Sequence, residues 1–476
     1  MSAAFDSAEF DLAVVGAGPA GMAAAATASE LGLSSVLLDE NPGPGGQIYR
    51  AIAASPVQRR GVLGGDYWRG AEAVRRLQRS SAAWRPRTAV WSLQAGEEGV
   101  ELGTADEQGA RMLRARYAVV ATGAMERPFP IPGWTLPGVM TVGAAQTLLK
   151  ASGIVPRGQT VIAGSGPLLY LYAWQLIAAG APPALLLDTT PRRNWRQAVW
   201  HLPAFLASGY SRKGLALLAA VRRRVPVIGN VALLRAEGED RVREIVWRSA
   251  KGEARRQVDL LLLHQGVVPN INLWSAADCA SQWDEVQACW HASVDAWGQS
   301  SRERIFIAGD GAGIAGAEAA GLRGQLAAVR IAELLGRLTS AARGGHARDM
   351  QRALAVRLRG RDFLDALYRP ADWARRPAGD TVVCRCEEIS AARIVATIRQ
   401  GCSGPNQLKA YIRCGMGPCQ GRQCGLTVTE LMAHEKAAPP AAIGHFRLRP
   451  PVKPLALGAL AAVPASEAEK ASVIRF

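Results

Sequence analysis

Short apolar runs that end in glycine punctuate the first two thirds of the chain. Leu12-Ala13-Val14-Val15 runs into Gly16-Ala17-Gly18-Pro19-Ala20-Gly21, and an alanine-rich stretch follows to about Leu31. Ser35 to Leu38 is a second run, closed by Asp39 and Glu40. Apolar runs this short, without alternation, predict strands buried on both faces, and the alanine-rich stretch between them predicts a helix. The order strand, G-x-G-x-x-G, helix, strand, acid predicts a dinucleotide-binding unit. Gly16 permits the tight turn, Gly18 lets the backbone approach a pyrophosphate, and Gly21 lets the helix pack close to the strand. Pro19 and Ala20 open the helix, whose free N–H groups and dipole suit phosphates, and Asp39 is placed for ribose hydroxyls.

Further runs extend the pattern. Ala118-Val119-Val120 enters Ala121-Thr122-Gly123, and Ile305 to Ala308 enters Gly309-Asp310. Between them, Gln159 to Ala163 enters Gly164-Ser165-Gly166-Pro167-Leu168-Leu169, and Leu185-Leu186-Leu187 ends at Asp188. This predicts a second nucleotide unit inserted between the halves of the first. Leu169 stands where the third glycine belongs, and a side chain there crowds the phosphate-binding turn. Three alternatives stay open for Gly164, Gly166 and Asp188: NADH, a structural adenine nucleotide such as ATP or ADP, or an empty fold. Asp188 disfavours a 2′-phosphate.

The pattern changes after residue 340. Residues 341–380 are rich in Arg and Ala and predict a helical linker. Helices are expected over Ala391–Gln400 and Leu408–Arg413. Six of the eight cysteines lie between 384 and 424: Cys384-Arg385-Cys386, Cys402, Cys414, and Cys419-x4-Cys424. Thiolates gathered in a small domain suit an iron–sulfur cluster or zinc. Cys384, Cys386, Cys419 and Cys424 are the expected ligands, since the last two sit in a glycine-rich loop whose N–H groups reach cluster sulfurs. The pair Cys414-x4-Cys419 has the same spacing; otherwise Cys402 and Cys414 are spectators.

At 476 residues, the chain is long enough for about three domains. Apolar residues make up 49% and charged residues 20%, an ordinary globular balance. The net charge of +16 invites nucleic acid, but the arginines are spread out and no nucleic-acid motif occurs. Residues 190–225 interleave Trp195, Trp200, His201, Phe205 and Tyr210 with Arg192, Arg193, Arg196, Arg212 and Lys213. A helical hairpin forming a subunit interface is expected there. Asp6 and Glu9 precede the first strand without a basic region, and no apolar run approaches the ~18–20 residues of a membrane span. A cytoplasmic location follows, on or off the inner face of the plasma membrane, where clustered cysteines are metal ligands rather than disulfides.

From about residue 10 to 335 the chain resembles two-dinucleotide flavoproteins of the thioredoxin-reductase-like class. The resemblance implies FAD in the first unit, held by Gly16, Gly18, Pro19, Ala20, Gly21, Asp39, Glu40, Ala121, Thr122, Gly123, Gly309 and Asp310. Gly46 and Gln47, in Gly43-Pro44-Gly45-Gly46-Gln47, resemble the loop that runs along the flavin. The class's C-x-x-C pair is absent, which argues against disulfide reduction. Cys384-Arg385-Cys386-Glu387-Glu388 through Cys424 resembles the [2Fe–2S] domain of bacterioferritin-associated ferredoxin.

With the tail Ile443 to Pro454, the whole chain resembles the alpha or A subunits of bacterial dye-linked amine dehydrogenases. These include octopine and nopaline oxidase A, hydrogen cyanide synthase B and D-hydroxyproline dehydrogenase alpha. The implied fold is α/β, in three layers, with a small C-terminal helical cluster domain. The expected segments are a FAD-binding domain at 1–155 and 291–340, an inserted NAD(P)-like domain at 156–290, a linker at 341–380, a [2Fe–2S] domain at 381–435 and a tail at 436–476. The implied partners are a glycine-oxidase-like beta subunit, with a small ferredoxin-like gamma subunit, and a quinone or respiratory acceptor. A self-sufficient NADH-dependent reductase feeding its own cluster is the alternative.

Overall fold

The computed structural model describes residues 9–463. Its first sheet has seven strands. Phe10–Val15 lies at the centre, parallel to Ser35–Leu38 on one side and to the end of Gly109–Val120 on the other. Ile305–Ile307 returns from far down the chain to pair parallel with Ala118 to Val120. These central segments are buried on both faces, which is why they read as continuous apolar runs. The helix Pro19–Glu30 follows the first turn and packs against the long helix Ala317–Leu334. Gly324 makes that contact possible: a Cβ there would lie 2.1 Å from the Ala20 carbonyl oxygen.

The second sheet has five strands in the order 227–228, 185–188, 160–165, 260–265, 139–141. All its pairings are parallel. It therefore begins with Val139–Thr141, ahead of residue 156. Residues 272–292 pack into the core of the first sheet through Leu273, Trp274, Cys279 and Ala292, so the chain has returned to the first domain well before residue 291. A three-stranded antiparallel sheet (233–237, 244–249, 252–257) hangs from the second.

Residues 192–222 form several short helical turns and the helix Gly209–Arg222. Trp195 and Phe205 pack on Phe363 of the linker, while Trp200 is 83% exposed. The linker holds the helices Ser340–Leu358, Arg361–Leu367 and Asp372–Arg375.

The C-terminal domain pairs Val382–Cys384 with Ile389–Ser390, then forms the helices Ala391–Arg399, Pro405–Ile412 and Gly425–Glu435. It has its own core of Val383, Ile394, Leu408, Val428, Met432 and Phe446. Among the described residues, no helix is long and apolar enough to cross a membrane.

Candidate functional site

The first cradle is built by close backbone approach. Gly16 has φ +103, and a Cβ on it would lie 2.5 Å from the Ala121 carbonyl oxygen. A Cβ on Gly21 would lie 1.8 Å from the Gly16 carbonyl oxygen. No residue but glycine fits either place. The loop after the second strand folds over the turn: a Cβ on Gly46, at φ +59, would lie 2.9 Å from Gly18 Cα.

Asp39 Oδ2 accepts from the Ala17 N–H at 2.6 Å, and Oδ1 accepts from the backbone N–H and side-chain amide of Asn41 at 2.8 and 2.7 Å. An ionised carboxylate has about four acceptor positions, so Oδ2 keeps room for a hydroxyl. Asp310 Oδ1 accepts from the N–H groups of Ala315 and Gly316 at 2.8 and 3.0 Å, ahead of the helix Ala317–Leu334. The turn Thr122-Gly123 is held from the other side, where the Asn270 N–H donates to the Gly123 carbonyl at 2.9 Å.

Gly16, Gly18, Pro19, Ala20, Asp39, Glu40, Gly46, Gln47, Ala121, Thr122, Gly123, Gly309 and Asp310 all line one continuous cavity of about 2590 Å³. Gly21 is buried behind it. A cavity walled by bare backbone at a helix N-terminus, with an acid at the end of the second strand, fits a dinucleotide.

The second cradle differs. Gly164 and Gly166 have φ +149 and +118, and Gly166 and Asp188 line the same cavity. Leu169 is fully buried. Asp188 is already engaged: Tyr170 Oη donates to Oδ2 at 2.5 Å and the Thr190 N–H to Oδ1 at 2.8 Å. Burial and then Asp188 push the Tyr170 phenol well above its ordinary range, so it stays a donor. The residue after the missing glycine thus occupies one acceptor position of the acid at the strand end.

The structure sorts the cysteines. The sulfurs of Cys384, Cys414 and Cys424 all lie within 4.8 Å of one another, and all three residues are buried. Hydrogen bonds from the Cys414 and Cys424 thiols hold Cys384 far down, at about 2. Cys386 and Cys419 touch each other beside this group; burial first, and then Cys386, raise the Cys419 thiol. Gly417 lets Cys386 in, since a Cβ there would lie 2.2 Å from Cys386 Cβ. Cys402 stands apart, bonded to the Gly404 carbonyl. Cys414, expected as a spectator beside Cys402, therefore belongs to the group, and Cys402 does not. The available signal is that Cys414 opens the loop Cys414-Gly415-Met416-Gly417-Pro418-Cys419. Cys279 and Cys289 lie elsewhere, and burial pushes Cys289 up to about 12.

The cysteine loop docks on the flavoprotein fold. Asn272 Nδ2 donates to the Gln420 carbonyl at 3.3 Å, two residues from Asn270 on the Gly123 turn. Trp134 Nε1 donates to the Val382 carbonyl at 2.7 Å, and the Arg385 guanidinium lies 5.3 Å from the centre of the Trp134 ring. Arg385, Arg422 and Gln423 line the large cavity together with the first cradle.

This fold and cradle define a two-dinucleotide-domain flavin oxidoreductase. Residues 10–333 match the pyridine nucleotide-disulphide oxidoreductase family, and the chain belongs to it. Residues 378–464 match the sarcosine oxidase A3 domain. The chain is 45% identical over 471 residues to the opine oxidase A subunit of Rhizobium meliloti, covering 98% of this chain and 90% of the relative. It is 34% identical over 430 residues to hydrogen cyanide synthase subunit HcnB of Pseudomonas aeruginosa, covering 86% and 90%. Among solved structures, L-proline dehydrogenase from P. horikoshii shares the fold, with a TM-score of 0.71 at 18% identity over 96% of this chain and 81% of that one. The flavin-binding redox domain supports FAD in the first cradle.

Proposed function

We propose that this chain is the FAD- and [2Fe–2S]-carrying electron-transfer subunit of a hetero-oligomeric amine, opine or D-hydroxyproline type dehydrogenase. One observation carries the reading: the cysteine loop docks beside the Thr122-Gly123 turn and lines the same cavity as the FAD cradle. FAD exchanges electrons in pairs or singly and a [2Fe–2S] cluster singly, so the two together convert one regime to the other. Gly16, Gly18, Gly46, Asp39 and Asp310 would hold FAD. Cys384, Cys414 and Cys424, with Cys386 or Cys419 completing four, would hold the cluster. A thiol set without histidine suits iron–sulfur, and zinc, which has no redox chemistry, would serve no relay.

In this reading the amine is oxidised on a glycine-oxidase-like partner, with a small ferredoxin-like protein beside it. Electrons leave for a quinone or respiratory acceptor. The relatives named as an opine oxidase A subunit and as HcnB support an assembly of this kind.

The NADH-fed alternative is disfavoured by Leu169 and by the Tyr170 bond to Asp188. Anaerobic mixing with NADH decides: the isolated chain should keep its flavin absorbance, and rapid bleaching would instead establish the self-sufficient reductase. Iron and acid-labile sulfide should each approach two per chain; one zinc and no sulfide would end the relay reading.

A further inference from the structure

The helix Val142–Ser152 buries a lysine. Lys150 is 4% exposed. Its Nζ donates to Gln146 Oε1 at 2.8 Å and to the Gln47 carbonyl at 3.2 Å, and lies 5.9 Å from the centre of the Tyr67 ring. An ammonium has three donors, and these contacts use two. Gln146 Nε2 donates to Gln175 Oε1 at 2.8 Å, and Gln175 Nε2 to the Leu63 carbonyl at 3.1 Å. The amine thus ends a chain of buried amides. Gln47, Gln146, Lys150 and Gln175 all line the large cavity.

Burying an unpaired ammonium is costly, and packing alone would be served by Leu or Met. Among the described residues no carboxylate acts on this one. Burial and then the like charge of Arg50 pull its pKa to about 7. The other group facing it, the Tyr67 phenol, is raised by burial and stays neutral. The site therefore has a cation without an anion, fixed to the Gly45-Gly46-Gln47 loop that closes over the first cradle.

We propose that Lys150 is the electrostatic partner of the flavin ring, its ammonium compensating the negative charge that the ring gains on reduction. Two electrons and one proton taken up by the ring leave it one negative charge; the ammonium keeps its own proton and neutralises that charge. Gln146 and the Gln47 carbonyl act as positioning groups for the amine. The proposal rests on the first cradle holding FAD.

The test uses the full FAD-loaded chain with Lys150→Met, Lys150→Gln and Lys150→Arg. Two readouts are taken: the flavin midpoint potential by dye equilibration, and the dissociation constant of the sulfite adduct from loss of flavin absorbance. Both report how well the site accommodates a negatively charged ring. Lys150→Met and Lys150→Gln should weaken sulfite binding at least tenfold at pH 6. Their midpoint should fall by about 30 mV for each tenfold change in a two-electron couple, and the difference from wild type should shrink as pH rises past 7. Lys150→Arg should stay near wild type.

Unchanged sulfite affinity and midpoint in the uncharged variants at pH 6 would overturn the proposal. If those variants lose oxidised FAD while Lys150→Arg keeps it, the ammonium serves the FAD phosphates rather than the reduced ring, and the proposal fails. If Lys150→Arg loses FAD too, the residue is a packing element and the proposal fails. Wild-type chain without FAD would overturn the reading of the cradle instead.

Discussion

Arg375→Met should loosen the C-terminal cysteine domain by several kcal/mol. The guanidinium of Arg375, in the last linker helix, bonds Glu430 Oε1 through Nη1 and Asp372 Oδ1 through Nη2, the latter at 2.6 Å. The side chains of Arg375 and Glu430 are 8% and 6% exposed. Asp372 has other partners, Arg193 at 3.1 Å and Arg376 at 3.0 Å, so it survives the loss. Glu430 does not: Arg375 is its one ion-pair partner among the described residues. A buried carboxylate stripped of its cation costs about 3–5 kcal/mol, a factor of roughly 10² to 4 × 10³ in the opening equilibrium. Glu430 sits in the helix Gly425–Glu435, directly after Cys424, so this opening exposes the thiol group.

Hydrogen exchange of the amides in that helix measures the opening free energy locally, where a single global unfolding curve would mix three domains. The double variant Arg375→Met/Glu430→Leu replaces the pair with apolar groups and should recover most of the loss. If protection of the helix in Arg375→Met stays within about 1 kcal/mol of wild type, the pair is not buried as described. A double variant no better than the single one would locate the cost elsewhere.

Three further outcomes follow from the same geometry. Serine at Cys384, Cys414 or Cys424 should each strip iron and sulfide and erase the visible bands of the cluster, while Cys402→Ser should keep them; comparing Cys386→Ser with Cys419→Ser identifies the fourth ligand. Gly21→Ala, whose Cβ would sit 1.8 Å from the Gly16 carbonyl oxygen, should lower FAD content at least tenfold, on the order of 1.4 kcal/mol or more, read from flavin absorbance per chain. Lys150 has a folded pKa near 7 against an ordinary 10.5, so unfolding takes up a proton between those values; stability should rise with pH across that window, and urea titrations of Lys150→Met should lose the rise.

The first cradle was legible because its chemistry is steric. Only glycine tolerates the approaches at Gly16 and Gly21, and steric exclusion leaves residues at fixed spacing in the chain. Non-local pairing leaves no such trace. Val139–Thr141 is three residues long and joins the second sheet by pairing with Leu261 to Leu263, a partner its own sequence does not announce. Trp274 and its neighbours read as part of an inserted domain and instead fill the core of the first sheet. Cys414 could be kept only as an alternative, because its direction depends on Arg413, at φ +59, which turns the chain after the helix Pro405–Ile412 and sends the thiol inward. The Tyr170 bond to Asp188 joins a helix to a strand end, and spacing along the chain is silent about that.

The tail agrees with the relay proposed above. Phe446 plugs the cysteine loop: Cβ atoms on Gly415 or Gly421 would lie 2.6 and 2.5 Å from its ring. Next to it, His445 packs edge-on against Trp290 with ring centres 5.2 Å apart. A few residues on, the Val452 N–H donates to the Trp91 carbonyl at 2.9 Å, and Lys453 Nζ meets Glu40 at 2.6 Å beside the acid of the first cradle. One extended segment therefore touches the thiol group at one end and the nucleotide cradle at the other. A flexible linker would let the distance between two redox groups vary, and electron transfer falls steeply with distance. A strap with buried anchors at both ends, Phe446 and Val452, removes that freedom. The linker helices tether the cluster domain from one side through Arg375 and Glu430, and the tail tethers it from the other. Holding one domain twice against the same neighbour has little purpose for a structural zinc knuckle, and it suits a relay whose rate depends on a fixed gap.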